Sequence, residues 1–472
     1  MSSGSRRPDV CVVGAGPVGL TVALGLAVAG VGVTVLESAA DIAVSSRALV
    51  HQSHTLEGFA RLRVLDAVLR AGTPLRARDF LVRRTGERIR HPTPGPRTGS
   101  APAHNLILRQ DALSRILLRQ LLRFPAAEVK FGCAVDTVRQ NGESVRVGYT
   151  HQEGRGLLET RWAVGADGAR STVRKALGVE FEGFTWPERF VATDIRYDFA
   201  AHGYADANFV IDPDDGTIVV RIDSGNLWRV AWTERTSLPE ETLPRRLAEF
   251  FARNLPGPRP RNYELVAHAP YRAHQRTAER FRVGRVLLAG DAAHVTNPTG
   301  GMGLTAGLHD AFPLGEALAA VLLGRCGEGV LDRYAEAGRA AFLTRFSPLA
   351  TDLKRLVFDT RDPARLAEAL VPLRRLAADE ELRRSRTAAL RSALPLSLLD
   401  DGRAAGRLRP YLGAAAAGSP QGPQGNADQG PEGHTAQGPQ GHTAQGPQGH
   451  ADRGPQGHAG HHFGPQERQT AP

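Results

Sequence analysis

The sequence predicts an α/β protein in which one discontinuous domain is interrupted by a sheet-rich insertion. Three observations predict it. A glycine-rich turn at residues 14–19 separates an apolar strand from an apolar helix. A second short apolar strand, Arg285–Leu288, runs into Gly290-Asp291 far along the chain. Between them, the stretch from Phe190 to Ala231 is strand-rich, with the alternation of half-buried strands.

The first elements form a βαβ unit: a strand over Asp9–Val13, a helix to about Ala29, and a strand over Gly32–Leu36 that ends in Glu37-Ser38. The turn reads Gly14-Ala15-Gly16-Pro17-Val18-Gly19. Gly14 permits the tight turn, Gly16 lets the backbone approach a pyrophosphate, and Gly19 lets helix and sheet pack closely. The helix N-terminus offers unpaired N–H groups to phosphate oxygens, and Glu37 stands where a carboxylate accepts ribose hydroxyls. Val10–Leu36 is nearly free of charge, yet six glycines and a proline interrupt it, which argues against a membrane span.

A helix is expected over Thr55–Ala71, a loop over Pro92–Pro102 and a helix over Asp111–Phe124. Ser144–Tyr149 and Thr217–Ile222 read as strands. A helix begins near Gly303, and the pattern is helical from Leu331 to about Leu399, with breaks expected at Pro348, Pro363 and Pro372. From Gly422 an eight-residue unit of the type GPQGHTAQ repeats five times. Its period is not collagen's, and its few apolar side chains cannot offset the entropy of ordering, so a disordered Gly/Pro/Gln/His tail is expected over 413–472.

The formal net charge is +10, and the last 59 residues carry −2 of it, leaving the first 413 at about +12. Three lysines stand against 56 arginines. The basic residues form no long run and are not interleaved with aromatics, which argues against nucleic acid and fits attraction of small anions. Cys11, Cys133 and Cys326 form no CxxC pair, so neither a disulfide framework nor a zinc site is expected. With no apolar leader-like segment in MSSGSRRPDV, the expectation is a cytoplasmic protein, without metal and without a membrane partner.

Two further motifs carry chemistry. Gly165-Ala-Asp167-Gly-Ala-Arg-Ser-Thr-Val-Arg174 follows the apolar strand Trp162–Val164, where Asp167 either caps a helix or serves a ligand. The run Gly290-Asp291-Ala-Ala-His294 is followed by Asn297-Pro298-Thr-Gly300-Gly301-Met302-Gly303-Leu304 and then Asp310-Ala311. Three glycines in four residues at a helix start expose N–H groups that suit a flavin edge gaining negative charge on reduction.

In this order and at these separations, the three motifs resemble those of the class A FAD-dependent monooxygenases, the aromatic hydroxylases of the para-hydroxybenzoate hydroxylase fold. The likeness runs from Asp9 to about Gly315, with helical similarity to about Leu412. It implies a Rossmann-like FAD-binding domain over 1–75, 105–185 and 271–340, a substrate domain over 76–104 and 186–270, and C-terminal helices over 341–412. It implies that Gly14, Gly16, Pro17, Val18 and Gly19 line the FAD pyrophosphate, and that Glu37 with Ser38 meets the adenosine ribose. It places Arg47 and Arg109 near the flavin and Asp167 where FAD and NAD(P)H meet. Gly290-Asp291 would hold the ribityl chain, and Pro298, Gly300, Gly301, Met302, Gly303 and Leu304 would border the ring. Relatives often carry Asn shortly after the glycine run, where this chain has Thr305.

The implied function is monooxygenation: NAD(P)H reduces FAD, O2 adds to it, and a flavin C4a-hydroperoxide delivers one oxygen atom to an electron-rich, aromatic or polyketide-like small molecule. The protein would be a monomer or homodimer. An FAD-dependent reductase or epoxidase on the same fold, or a non-catalytic flavin-binding protein, is the alternative. No general base is assigned: His51, His104, His268 and His274 have no supporting pattern, and His294 reads equally as a packed residue. Trp228 and Trp232 read as core, and Arg47 and Arg109 also fit as ordinary surface arginines.

Overall fold

The computed structural model describes residues 8–43, 49–93, 104–257, 262–394 and 396–399. Arg47, most of the 92–102 loop and the repeat tail lie outside them.

Six strands form the first sheet, in the order Arg282–Val283, Val286–Leu288, Trp162–Gly165, Val10–Val13, Val33–Leu36, Ala127–Lys130. The last five are parallel, with Val10 opposite both Val33 and Trp162. The central strands are buried throughout, as parallel strands covered on both faces require. The helix Pro17–Val28 covers one face and packs on the long helix Met302–Leu322 through small residues: a methyl group on Gly25 would sit 3.5 Å from Gly315 Cα.

The larger sheet has eight strands, in the order His294–Val295, Glu264–Ala278, Phe181–Arg196, Leu227–Arg235, Thr217–Arg221, Ala207–Ile211, Ala77–Val82, Glu87–Pro92. All its pairings are antiparallel except that of Ala207–Ile211 with Ala77–Val82. One face packs on the helix Leu243–Asn254 through Trp228, Trp232, Phe250 and Phe251. Both tryptophans therefore belong to the core. The opposite face packs on the C-terminal helices through Phe190, Phe209, Leu356 and Phe358. The positions 185 and 271, where the two domains were expected to meet, fall inside the continuous strands Phe181–Arg196 and Glu264–Ala278.

Two helical expectations need correction. The helix expected over 55–71 is two helices, Ser53–Arg61 and Leu65–Ala71, because Arg63 takes a left-handed φ of 58° between them. Pro372 does not break its helix, which runs Pro363–Ala378. The proline lies on the exposed face, as does Glu368, whose carbonyl loses its helical donor. Pro363 does open a helix, in its first turn. Pro348 sits in the first turn of Ser347–Phe358, immediately after a π-helical turn over Phe342–Phe346, so the chain changes helical pitch there without interruption. No helix among the described residues is long and apolar enough to cross a membrane.

Candidate cofactor and active site

The three motifs meet at the carboxyl ends of the parallel strands, where ligands of open α/β sheets bind. Gly14 adopts φ +104°, and a methyl group there would lie 2.4 Å from the Ala166 carbonyl oxygen, so the first motif touches the second through bare backbone. On Gly19 it would lie 2.0 Å from the Gly14 carbonyl oxygen, which enforces close helix–turn packing. At Gly16, by contrast, nothing among the described residues lies within 4 Å of that position beyond its chain neighbours. Gly16 is the N-cap of Pro17–Val28, with no side chain capping the first turn. Two glycines are thus required by the protein's own packing, and the third leaves open space in front of unpaired N–H groups, as a pyrophosphate requires. Val18 packs against Gly290, where a Cβ would meet its side chain at 2.9 Å.

Glu37 leaves the second strand and folds back on the turn. Its Oε2 accepts from Ala15 N–H at 2.7 Å, and its Oε1 accepts from Ala39 N–H at 2.8 Å and from the Ser38 hydroxyl at 3.1 Å. Asp167 caps the helix Thr172–Ala176: its carboxylate accepts from the backbone N–H groups of Thr172 and Val173 and from the Ser171 hydroxyl, at 2.7, 3.1 and 2.6 Å. Arg174, buried against Phe181, donates to the carbonyls of Ala169 and Ala292 and so ties the second motif to the third. Burial pushes its guanidinium below the usual value, with the Asp167 charge opposing the shift.

In the third motif Gly290 takes φ +60° and opens the turn Gly290–Ala292 that presents half-buried Asp291. Behind it, Asp310 Oδ2 accepts from Gly290 N–H at 2.9 Å and from His294 Nε2 at 2.7 Å. Tyr334 donates to the Leu288 carbonyl, and burial together with the Asp310 charge holds its phenol well above the ordinary range. His294 is 1% exposed and stacked on Phe342, so it is a packed residue. Downstream, Gln275 Oε1 accepts from the Thr296 hydroxyl and from Asn297, while its amide donates to Ser347. This clamp fixes the entry to the Pro298–Leu304 run. Gly300 and Gly301 take positive φ, Met302 opens the helix and is buried, and Gly303 and Leu304 are half-buried in its first turn. The Thr305 hydroxyl donates to the Gly301 carbonyl at 3.0 Å, so the residue that departs from the family pattern closes the same turn.

Arg109 is the N-cap of Gln110–Leu121, and its guanidinium pairs with Asp111 at 3.0 Å. It follows Leu108, whose N–H donates to the Leu49 carbonyl and whose own carbonyl meets His51. Burial pushes the His51 imidazole down to about 4, partly opposed by that hydrogen bond. Among the described residues no group of three or more His, Cys, Asp or Glu side chains is placed to hold a metal.

Residues 7–345 match the model of the FAD binding domain family. The chain is 41% identical over 345 residues to para-nitrophenol 4-monooxygenase of Pseudomonas sp. strain WBC-3, covering 72% of this chain and 85% of that one. The chain belongs to the class A FAD-dependent aromatic hydroxylases. Identity is also 41% over 355 residues to 6-hydroxy-3-succinoylpyridine 3-monooxygenase HspB of Pseudomonas putida, covering 75% and 90% of the two chains. The crystal structure of p-nitrophenol 4-monooxygenase PnpA from Pseudomonas putida DLL-E4 superposes with a TM-score of 0.77 at 38% identity, over 81% of this chain and 97% of that one. Aklavinone-11 hydroxylase, in complex with FAD and aklavinone, gives a TM-score of 0.66 at 29% identity, over 75% and 70%.

The residues present fit FAD: an open glycine at an uncapped helix start, a carboxylate beside it, and a second carboxylate on a rigid turn. Several contributors are only partly announced in the sequence. Gln275 is one of several polar residues in the strand Glu264–Ala278, and Arg174 closes the second motif but its bond to Ala292 spans 118 residues. Asp194 and Arg229 form a buried pair, 2.8 and 3.0 Å apart, on the sheet face shared with Val220.

Proposed function

We propose that this protein uses NAD(P)H and O2 to place one oxygen atom on a phenol or a hydroxylated heteroaromatic ring. The observation that carries the reading is the convergence at Val50. Among the described residues beyond its chain neighbours, a methyl group on Gly301 would come nearest to the Val50 carbonyl oxygen, at 4.0 Å. The Val50 side chain packs with Leu49, Val220, Ile222 and Leu227 on the inner face of the large sheet. On this reading the glycine run and an apolar wall that carries the polar pair Asp194–Arg229 would flank the same space. Such a wall accepts an aromatic ring and excludes water.

Gly14, Gly16 and Gly19 would hold the pyrophosphate of FAD, Glu37 with Ser38 its ribose, Asp291 its ribityl chain, and the backbone of Pro298–Leu304 its ring edge. Arg109 and Asp167 would stand at the margins of that site. Bound FAD supplies the redox and oxygen chemistry. The protein's part is to hold the ring against the glycine run, to direct N–H groups at the edge that gains charge, and to orient the substrate on the sheet face. The parallel sheet and its helices would form the cofactor domain and the large sheet the substrate domain. The relatives named for para-nitrophenol and 6-hydroxy-3-succinoylpyridine support a hydroxylated ring as substrate.

The test is substrate-stimulated NAD(P)H oxidation across a panel of phenols and hydroxypyridines under 18O2. One labelled oxygen in the product is expected. A panel in which no compound accelerates oxidation or acquires label overturns the reading.

A further inference from the structure

We propose that Asp310 is a positioning residue for the cofactor, setting the turn that presents Asp291 through the Gly290 N–H and His294. The inference rests on the assignment of Asp291 to the ribityl chain.

Asp310 lies in the third turn of Met302–Leu322 and is 3% exposed. One carboxylate oxygen takes two donors: Gly290 N–H at 2.9 Å and His294 Nε2 at 2.7 Å. These donors stand at the two ends of the turn, one residue before and three residues after Asp291. Gly290 needs its left-handed conformation to aim that N–H inward, and Val18 fills the space beside its Cα. His294 is held face-on by Phe342, ring centroids 4.3 Å apart, and flanked by Phe281 at 5.8 Å. Its Nδ1 is buried without a hydrogen-bond partner. A proton on Nδ1 would have no acceptor, so the ring must carry its proton on Nε2 and direct it at Asp310. The carboxylate therefore selects the tautomer, and both ends of the turn depend on one buried acceptor.

Leu at position 310 breaks this arrangement while roughly keeping the bulk of the side chain. Gly290 N–H and His294 Nε2–H both lose their acceptor, and both ends of the turn are released. Asn is the conservative control: its amide oxygen has two lone pairs and takes both donors in the place of Oδ2, without the charge that strengthens them.

The experiment compares Asp310→Leu, Asp310→Asn, His294→Phe and Asp291→Ala for FAD dissociation constant, for the visible absorption and circular dichroism of bound flavin, and for fold by far-UV circular dichroism. Asp310→Leu should weaken FAD by about ten- to a hundredfold and shift the flavin bands, and Asp310→Asn should do so less. His294→Phe, which keeps the aromatic slot filled and removes one donor, should shift the bands the same way with a smaller loss. A folded Asp310→Leu with wild-type affinity and bands overturns the inference. If that variant does not fold, wild-type affinity and bands in His294→Phe overturn it equally. Loss of FAD in Asp291→Ala alone leaves the ribityl assignment standing while positioning fails; wild-type affinity in Asp291→Ala overturns the assignment itself.

Discussion

In the six-stranded sheet the strands Val10–Val13, Val33–Leu36 and Trp162–Gly165 are buried along their whole length and contain no ionisable side chain except the thiol of Cys11. In the eight-stranded sheet, the buried strand positions include Asp79, Arg189, Asp194 and Arg229, each engaged with an opposite charge. The first sheet presents its ligand with backbone: glycines, a helix start and turns at strand ends. The second shapes its surface with side chains paired across strands. Backbone sites tolerate almost no added atoms, whereas side-chain sites tolerate changes in shape but not the loss of one member of a pair.

The sharpest test of that contrast is inside the glycine turn. Gly19→Val would force a side chain into the Gly14 carbonyl, so the turn must open. The expected result is loss of FAD binding together with a collapse in folded yield. Among the described residues beyond its chain neighbours, Gly16→Ala meets no atom within 4 Å, and it keeps an ordinary φ of −67°, so the fold should survive while FAD weakens by about ten- to a hundredfold, the equivalent of one charge-assisted hydrogen bond. Equal melting temperatures and equal FAD affinities for these two variants would erase the distinction between packing glycine and ligand glycine.

In the other sheet, Arg229→Met leaves the Asp194 carboxylate buried without its partner. A loss of about 3–5 kcal/mol is expected. The double variant Asp194→Leu/Arg229→Met should recover most of it, since both charges then leave the interior. Denaturant melts of the three proteins check this; a double variant no better than the single one would show that the pair does more than satisfy itself.

These two regions also differ in how far they could be read from the sequence. The βαβ unit is local: strand, turn, helix, strand and Glu37 follow one another within 30 residues, and the spacing of its glycines is visible there even though Gly14 is also pressed against distant Ala166. The glycine run was visible for the same reason. Asp194–Arg229 joins strands 35 residues apart, and Arg174 reaches Ala292 across 118. The surroundings of Asp194 and Arg229 do not distinguish them from other acids and arginines, and Arg174, although it closes the second motif, does not announce its distant partner. Arg63 breaks the expected helix with no glycine or proline to announce it. Asp310 was visible as part of a motif, but its work depends on a turn 20 residues earlier. For Asp167 the sequence left cap and ligand open; the structure makes the cap explicit.

Acid should act on a third element, the small sheet in which Val50–His51 and Thr73–Leu75 flank Asn105–Ile107. His51, on the strand Val50–His51, is held down to about 4 by burial, while an unfolded histidine titrates near 6.5. The unfolded chain therefore binds a proton that the folded chain refuses. Stability is complete above pH 6.5 and falls as pH drops toward 4, by about 3 kcal/mol for this one residue. Buried His309 is pushed down in the same direction by burial, His54 and Arg345. His51→Gln should flatten the melting temperature between pH 6.5 and 4; an unchanged slope would locate the acid sensitivity elsewhere.

The smallest effect is expected from removing residues 414–472. This segment holds the five eight-residue repeats and, beyond Ala414–Ala417, has few apolar side chains. The family match ends at residue 345, and 345 aligned residues already account for 85% of the length of the para-nitrophenol monooxygenase. The chemistry proposed for the chain is thus assembled upstream of the repeats. Truncation should leave kcat and KM within about twofold and the melting temperature within about 2 °C, the range of surface changes. The tail's −2 charge opposes the basic body, so KM for an anionic phenolate should fall slightly, if it moves, and the change should vanish in high salt. Steady-state kinetics at low and high ionic strength decide it. A folded truncated protein with more than tenfold lower kcat/KM would make the repeats part of the active enzyme, and neither sheet's architecture would then explain them.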